Sequence, residues 1–149
     1  MRVVVQRVSE ASCTVEGRVT GEIGKGFLLL VGFGLQDNEE IATKMAQKVS
    51  KLRIFEDENG KMNRSLSDVG GDILSISQFT LYGAAKKGNR PSFTAALGGE
   101  KANTLYEHFN EELRKCGMRV ETGIFGADMK IRLLNDGPVT ILLESEDRK

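Results

Sequence analysis

Residues that commonly bind metals or transfer protons are scarce in this chain. It has one histidine, His108, and two cysteines, Cys13 and Cys116, which lie far apart in the sequence. The usual zinc sets need three or four such ligands, so they are excluded. A histidine-dependent serine triad would have to use His108, which stands beside Phe109 in a predicted helix and is interpreted as a solvated helix residue.

The glycine motifs of nucleotide-binding proteins are also incomplete. Gly60-Lys61 lacks the upstream glycine of a phosphate-binding loop and is followed by Met62. Gly24-Lys25-Gly26 is half of a dinucleotide fingerprint, and Leu29 stands where its third glycine belongs. We therefore expect neither a metal nor any other cofactor.

The chain has no excess of either charge and no long apolar run. Its 21 basic residues balance 21 acidic ones, so any RNA binding must come from a local patch. No stretch approaches the roughly 20 apolar residues of a membrane-spanning helix. Val3-Val4-Val5 is interrupted by Gln6 and Arg7 before the apolar core of a signal peptide can form. These features predict a cytoplasmic protein with reduced cysteines and no membrane association.

A length of 149 residues predicts one domain that spans positions 1–149. Apolar alternation and short apolar runs, separated by glycine-rich turns, indicate several strands. Strands are predicted at residues 1–8, 11–15, 18–23, 27–31, 52–55, 72–81, 129–133 and 139–143.

Two main helices complete the predicted fold. The first is expected to begin at Asp37, with Glu40 as its capping-box partner. The second covers residues 100–116 and ends at Gly117. The fold class is therefore α+β, with mostly antiparallel, curved sheets in a barrel-like core and two main helices. The charged tail, residues 144–149, is expected to fray.

A rigid connection separates the last two predicted strands, in the segment Asn135-Asp136-Gly137-Pro138-Val139-Thr140. Proline has no N–H to donate, and glycine has no Cβ to keep other groups away from its backbone. The result is a turn with exposed carbonyl oxygens. An ordinary turn between two strands is the simplest interpretation, and a cis Gly137–Pro138 bond is the rarer alternative.

A second polar stretch, Ser77-Gln78-Phe79-Thr80, is predicted to end a strand just before a glycine-rich loop. Functional groups concentrate where a rigid strand meets open space. The side chains offer an amide and two hydroxyl groups, and main-chain N–H groups at such an end can stabilise a developing oxyanion. Alternating polar positions on an ordinary strand would give the same pattern.

The loop that follows, residues 82–91, is locally basic because it contains Lys86, Lys87 and Arg90. One interpretation is a solvated, charged turn. The functional interpretation is a set of contacts with the phosphates of a nucleic acid.

Ser77-Gln78-Phe79-Thr80-Leu81 and the segment from Asn135 to Thr140 resemble the two signature motifs of the D-aminoacyl-tRNA deacylases, the D-Tyr-tRNA deacylase family. The resemblance extends over nearly the whole chain. A departure is Ala84, where many members have an acidic residue, which bears on the conformation of the loop and its RNA contacts. The resemblance implies a homodimer without cofactor that hydrolyses the ester at the 3′ end of D-aminoacyl-tRNA, in the chiral proofreading of translation.

The resemblance also implies roles for particular residues. Gly137-Pro138 is implied to be a cis dipeptide that enters the partner's pocket at the subunit interface, where its carbonyls meet the substrate's amino group. Thr80, Gln78 and Phe79 are implied as catalytic, and Ser77 as a substrate contact in the same pocket. Further roles fall to Arg7, which would orient the Gly-Pro loop, to Met129 near it, and to Lys86, Lys87 and Arg90 as tRNA contacts.

The identity of the nucleophile stays open. Thr80 could attack the ester, but a threonine hydroxyl needs a base to activate it, and no histidine or lysine is committed to that task. The favoured alternative is water, assisted by the terminal ribose 2′-OH, with main-chain N–H groups near Phe79 holding the oxyanion. A non-catalytic RNA-binding or chaperone-like module is the rival function, since the chain lacks a conventional acid–base residue.

Chirality is expected to be read by exclusion. If the carbonyls of Gly137 and Pro138 fix the ammonium group, no room remains for a Cβ in the L position. Glycine has no Cβ, so we expect deacylation of Gly-tRNA, including glycine mischarged onto tRNA(Ala), and rejection of L-aminoacyl-tRNA.

Overall fold

The computed structural model describes residues 1–145. In chain order its elements are β1 (Arg2–Val15), β2 (Arg18–Ile23), β3 (Gly26–Gly32), α1 (Glu39–Lys51), β4 (Phe55–Glu56), β5 (Met62–Arg64), α2 (Leu66–Val69), β6 (Asp72–Ser77), a 3₁₀ turn (Phe79–Tyr82), α3 (Gly99–Lys115), β7 (Val120–Thr122) and β8 (Lys130–Glu144).

Six strands form one curved sheet around the long strand β1. Along its length β1 pairs antiparallel with β3, β2 and β8, while β6 joins β3 and β7 in parallel. A Cβ on Gly21 of β2 would lie 2.7 Å from the carbonyl oxygen of Thr122 in β7. The two edges of the sheet therefore approach each other closely, and the predicted α+β fold with a barrel-like core and two main helices is confirmed.

Two pairs of predicted strands are each one continuous strand in the structure. Residues 1–8 and 11–15 merge into β1, and residues 129–133 and 139–143 merge into β8. The two strands pair along their whole length through register shifts at Gln6/Val8 and Val8/Glu10. The prediction of a turn between two final strands is therefore wrong: Gly137-Pro138 lies in an irregular bulge within one strand, held on both sides by the same partner.

The first helix begins later than predicted. Its N-cap is Asn38, whose side-chain oxygen accepts a hydrogen bond from the N–H of Ile41 at 2.9 Å. The predicted Asp37–Glu40 capping box is wrong because the carboxylate of Asp37 is buried against the terminal ammonium of Met1 at 2.7 Å and accepts from the N–H of Gly34. A charge-assisted partner outcompetes a helix cap.

The bounds of other elements differ less from the predicted ones. The strand predicted at residues 52–55 is reduced to Phe55–Glu56, whereas α3 lies within one residue of its predicted bounds. The expected fraying is wrong for Glu144, which ends β8 and pairs with Arg2, and for Ser145, whose N–H donates to the Met1 carbonyl at 2.9 Å. The rest of the predicted tail, residues 146–149, lies outside the described residues.

Two apolar clusters occupy the two faces of β3. The larger one lies between the sheet and the helices, and the smaller one lies on the opposite face, where Leu28, Leu74 and Ile76 pack with Val8 and Cys13. This burial on both faces confirms the prediction made for the apolar run 27–31. Within residues 1–145, no helix combines the length and apolar character needed to cross a bilayer.

Candidate active site

The end of β6 forms the wall of a cavity. The predicted strand 72–81 stops at Ser77, and the chain turns into the 3₁₀ turn that begins at Phe79. The N–H of Gln78 still bonds the carbonyl of Val31 at 2.7 Å, as a strand residue would. A Cβ on Gly32 would lie 2.8 Å from the Gln78 carbonyl oxygen, so only glycine lets the turn fold this closely over β3.

The cavity has a volume of about 520 Å³, a size that accommodates an aminoacyl group. Apolar side chains, among them Ile76 and Ile131, make up much of its wall. It brings together four residues predicted from the sequence, which are Ser77, Gln78, Phe79 and Met129.

Thr80 lies at the edge of this group and does not line the cavity. Its hydroxyl oxygen accepts a hydrogen bond from the side-chain amide of Gln78. An amide N–H cannot remove the proton of the hydroxyl group. The single histidine is engaged elsewhere: half-buried between α1 and α3 rather than solvated as predicted, His108 lies 2.8 Å from the Thr43 hydroxyl.

Two main-chain donors are free of partners within the 3₁₀ turn. Its first hydrogen bond runs from the N–H of Leu81 to the carbonyl of Gln78 at 3.3 Å. The N–H groups of Phe79 and Thr80 precede that bond and so have no acceptor inside the turn. They are the donors beside the cavity that a developing oxyanion could use.

The Gly137–Pro138 peptide bond is cis, and both residues are exposed. Asn135 precedes this pair and bonds to the two residues that follow it. Its side-chain oxygen accepts from the N–H of Val139 at 2.9 Å, and its amide donates to the Thr140 hydroxyl at 3.0 Å. These bonds fix the segment from within β8 and leave Gly137-Pro138 at the surface.

Arg7 holds the same segment from the interior of the protein. Its side chain is buried, donating through Nε to the carbonyl of Asp136 at 3.1 Å and through a terminal nitrogen to the carbonyl of Ile54 at 2.8 Å. The carboxylates of Asp136 and Glu56 lie 3.7 and 3.8 Å from the guanidinium group. These contacts can orient the Gly-Pro segment, which is the role predicted for Arg7.

Within one protomer, the Gly-Pro bulge and the Ser77 cavity are separate. Gly137 and Pro138 do not line the 520 Å³ cavity, and Arg7 with Asp136 lines a different, smaller one of about 220 Å³. Met129 lies on the wall of the larger cavity, packed over Gly123. The neighbourhood expected for Met129 and the Gly-Pro loop is therefore not formed inside a single chain.

Comparisons with known proteins agree with the two motifs. The family model described as D-Tyr-tRNA(Tyr) deacylase matches residues 4–144. The chain belongs to the D-Tyr-tRNA(Tyr) deacylase family. Among its curated relatives, the D-aminoacyl-tRNA deacylase of Koribacter versatilis is 58% identical over 98% of both chains, and that of Exiguobacterium sibiricum is 60% identical over 97% of this chain and 99% of its own.

Solved structures carry the same fold. A structure titled c-Myc DNA Unwinding Element Binding Protein superimposes with a TM-score of 0.90 at 44% identity, covering 97% of this chain and 98% of its own. A probable eukaryotic D-amino acid tRNA deacylase has a TM-score of 0.84 at 20% identity, covering 95% and 97%, and shows the fold alone.

The basic residues of the loop 82–91 do not line the cavity. Lys86, Lys87 and Arg90 are exposed. Main-chain hydrogen bonds between Ala84 and Ser92, of 2.8 and 2.7 Å, close the loop at its base. Ala84 thus contributes to the loop through its backbone.

Sequence reasoning missed several neighbours of the site. Phe93 packs on Phe79, and Phe125 lines the cavity. Tyr106 donates from its hydroxyl to the carbonyl of Ser75 at 2.7 Å, two residues before Ser77, and burial raises the pKa of that hydroxyl so that it stays a donor. Tyr106 was identifiable only as part of the apolar face of α3, since nothing in its spacing indicates a partner on β6.

Gly137 should not tolerate a side chain. Its φ of +127° disfavours other residues, and a Cβ would lie 2.8 Å from Val139 Cγ2 and 3.0 Å from an Arg7 nitrogen. We expect Gly137→Ala to lower the free energy of unfolding by about 2–4 kcal/mol, measured by urea denaturation.

Gly17→Ala is the matched control. Gly17 also has a positive φ, +78°, but a Cβ there would meet nothing within 4 Å. It should lose only about 1 kcal/mol, the cost of the backbone conformation. Equal losses in the two variants would mean that the contacts around Gly137 are not tight.

Proposed function

We propose that this protein hydrolyses the ester bond of D-aminoacyl-tRNA in the cytoplasm, releasing the D-amino acid and the tRNA. The observation that carries the proposal is the Ser77-Gln78-Phe79 cavity, which has main-chain donors at its edge. The carboxylate on its wall, that of Asp128, is exposed and lies 3.0 Å from the Lys130 ammonium. An aminoacyl ester is already reactive and has a ribose hydroxyl beside it. Such a substrate needs positioning and oxyanion stabilisation more than a strong protein nucleophile.

The decisive experiment compares D-Tyr-tRNA with L-Tyr-tRNA in a deacylation assay. Rapid release of D-tyrosine, with L-Tyr-tRNA left at its spontaneous rate, is the expected result. The rival function, a non-catalytic RNA-binding module, is supported by the exposed basic loop. Binding of both tRNAs without release of either amino acid would establish the module and refute the hydrolase.

In the proposed reaction, water adds to the ester carbonyl carbon and its proton passes through the neighbouring 2′-OH. The N–H groups of Phe79 and Thr80 stabilise the oxyanion of the tetrahedral intermediate. When this intermediate collapses, the bond between the carbonyl carbon and the ribose 3′-oxygen breaks, and the 3′-oxygen takes the proton. The hydrogen bond from Gln78 to the Thr80 oxygen supports this course, since it leaves the hydroxyl without a base.

Thr80→Ala should therefore retain activity within about tenfold of the parent rate, because the substitution removes only the hydrogen bond that positions the Gln78 side chain. A substrate whose terminal ribose lacks the 2′-OH should be deacylated at least about 100-fold more slowly, as is usual when a general acid–base group is removed. Single-turnover rates on both substrates measure this. A folded Thr80→Ala protein that binds substrate but has no activity would return Thr80 to the role of nucleophile.

The complete site is proposed to form at the interface of a homodimer. The Gly-Pro bulge projects from the surface and does not line the cavity of its own chain. Within residues 1–145, β8 pairs with β1 alone, so its other edge is open, and it exposes Leu134 and Leu142 on either side of the bulge. An open strand edge with exposed leucines is suited to a second copy of the chain.

Mixing two inactive variants tests this arrangement. Pro138→Ala changes the bulge, and Ala127→Trp introduces a large side chain on the wall of the cavity. If the bulge of one subunit serves the cavity of the other, co-refolding equal amounts should restore about a quarter of the parent activity, since half of the dimers are mixed and each has one intact site. No recovery, or an active monomer in sedimentation, would contradict the interface site.

The chiral filter is proposed to be the main chain of Gly137-Pro138. Carbonyl oxygens of this fixed segment accept the substrate's ammonium N–H groups, and their position leaves no space for an L side chain. Asn135 and Arg7 support the proposal because they hold the segment from two sides. D side chains point away from the filter, so substrates with different D side chains are accepted.

Glycine and L-alanine differ by one methyl group and make the sharpest comparison. Gly-tRNA, including glycine on tRNA(Ala), should be deacylated measurably, and L-Ala-tRNA should remain at its spontaneous rate, in single-turnover assays. D-Ala-tRNA is the matched positive control. Equal rates on Gly-tRNA and L-Ala-tRNA would refute the steric filter, and activity on D-Ala-tRNA alone would indicate selection by attraction to the side chain.

A further inference from the structure

Two phenylalanine rings stand open to solvent beside the cavity. Phe79 and Phe93 are 55% and 37% exposed, and their ring centroids lie 5.2 Å apart at an interplanar angle of 69°. Single exposed apolar residues are normal on a protein surface, but two aromatic rings in contact form a patch that calls for an occupant.

The backbone builds this pair. A Cβ on Gly83 would lie 2.9 Å from the ring of Phe93 and 3.0 Å from the carbonyl of Thr80. Only a glycine therefore lets the Phe93 ring lie against the 3₁₀ turn. The paired main-chain bonds between Ala84 and Ser92 bring the chain back so that Phe93 meets Phe79.

The loop that connects the two rings carries charge of one sign. The loop between Gly83 and Pro91 contains Lys86, Lys87 and Arg90 and no acidic residue, in a chain whose formal net charge is zero. Aromatic rings beside a basic segment are the combination with which proteins bind single-stranded nucleic acid, by stacking bases and contacting phosphates.

We propose that Phe79 and Phe93 form a stacking surface for an unpaired base at the 3′ end of the RNA substrate, whose phosphates lie along Lys86, Lys87 and Arg90. The inference rests on the proposed function, because that function makes an RNA end the substrate. It adds an RNA-binding role for Phe93 and for the ring of Phe79, whose main-chain N–H serves the oxyanion.

The same charges argue against a second copy of the chain as the occupant. The core of a protein–protein interface is depleted in lysine, whereas the loop between Phe79 and Phe93 exposes Lys86 and Lys87. The open edge of β8, with Leu134 and Leu142, is the surface suited to a second copy.

The test uses the full-length protein and a fluorescein-labelled CCA trinucleotide, the sequence at the 3′ end of every tRNA, followed by fluorescence anisotropy. Phe93→Leu keeps an apolar side chain but removes the aromatic face, and should weaken binding by about fivefold or more, up to about 150-fold. Phe93→Trp should bind at least as tightly as the parent. Val19→Ala, which trims an exposed side chain on β2, is the control and should not change the affinity.

Lys87→Ala separates the phosphate contribution from stacking. It should reduce the slope of log affinity against log salt by somewhat less than one unit, about 0.7 for single strands, while Phe93→Leu leaves that slope unchanged. Thermal unfolding of each variant shows whether Phe93→Leu is folded, and Phe93→Trp keeps the test informative if it is not.

Two results would overturn the inference. One is equal affinity of the parent, Phe93→Leu and Phe93→Trp for the trinucleotide while D-Tyr-tRNA is still hydrolysed, which would leave the proposed function intact. The other is conversion of Phe93→Leu into a smaller species in sedimentation, which would assign the ring pair to a protein interface. Failure of the proposed function has a different signature, namely no hydrolysis of D-Tyr-tRNA by the parent protein.

Discussion

The buried guanidinium group of Arg7 is the constraint on which the position of the Gly-Pro bulge depends. A buried charge costs several kcal/mol unless its hydrogen-bond donors are satisfied. Arg7 satisfies them with the carbonyls of Ile54 and Asp136, which are 47 and 129 positions distant in sequence, and with two nearby carboxylates. Since the planar guanidinium has a fixed fork geometry, these segments cannot shift independently. The bulge is thus held by the fold's interior although it lies at the surface.

The Ser77 cavity depends on a different device, which is close backbone approach. Gly32 lets the carbonyl of Gln78 fold over β3, and the hydroxyl of Tyr106 holds β6 at Ser75. At Gln78 and Phe79 the cavity therefore presents a main chain whose position is fixed. Such a wall suits the proposed reaction, in which the ester and ribose hydroxyl of the substrate supply the reactivity and the protein positions them.

Local sequence patterns were enough to predict most of the fold and to single out Ser77, Gln78 and Phe79, which line the cavity. Apolar periodicity and glycine punctuation predicted both helices, the β1–β2 hairpin and the buried strand β3. These patterns failed where a residue distant in sequence determines the local structure. Asp37 does not cap the helix because it pairs with the Met1 ammonium, and β8 continues through the Gly-Pro pair because β1 pairs with both of its halves. Phe93 went unnoticed as a site residue because its contact with Phe79 depends on a loop closed by Ala84 and Ser92.

The filter proposed for Gly137-Pro138 consists of main-chain atoms, which would have a consequence for specificity. Side chains can change rotamer to admit an unwanted group, whereas the carbonyls of Gly137 and Pro138 can move only if Arg7 and Asn135 release the segment. A filter of this kind discriminates by the presence of a Cβ in one position and ignores everything beyond it. Under this proposal, breadth toward D side chains and acceptance of glycine would have one physical origin. Tightening the filter against glycine would require a contact with the side chain, and such a contact would remove the breadth.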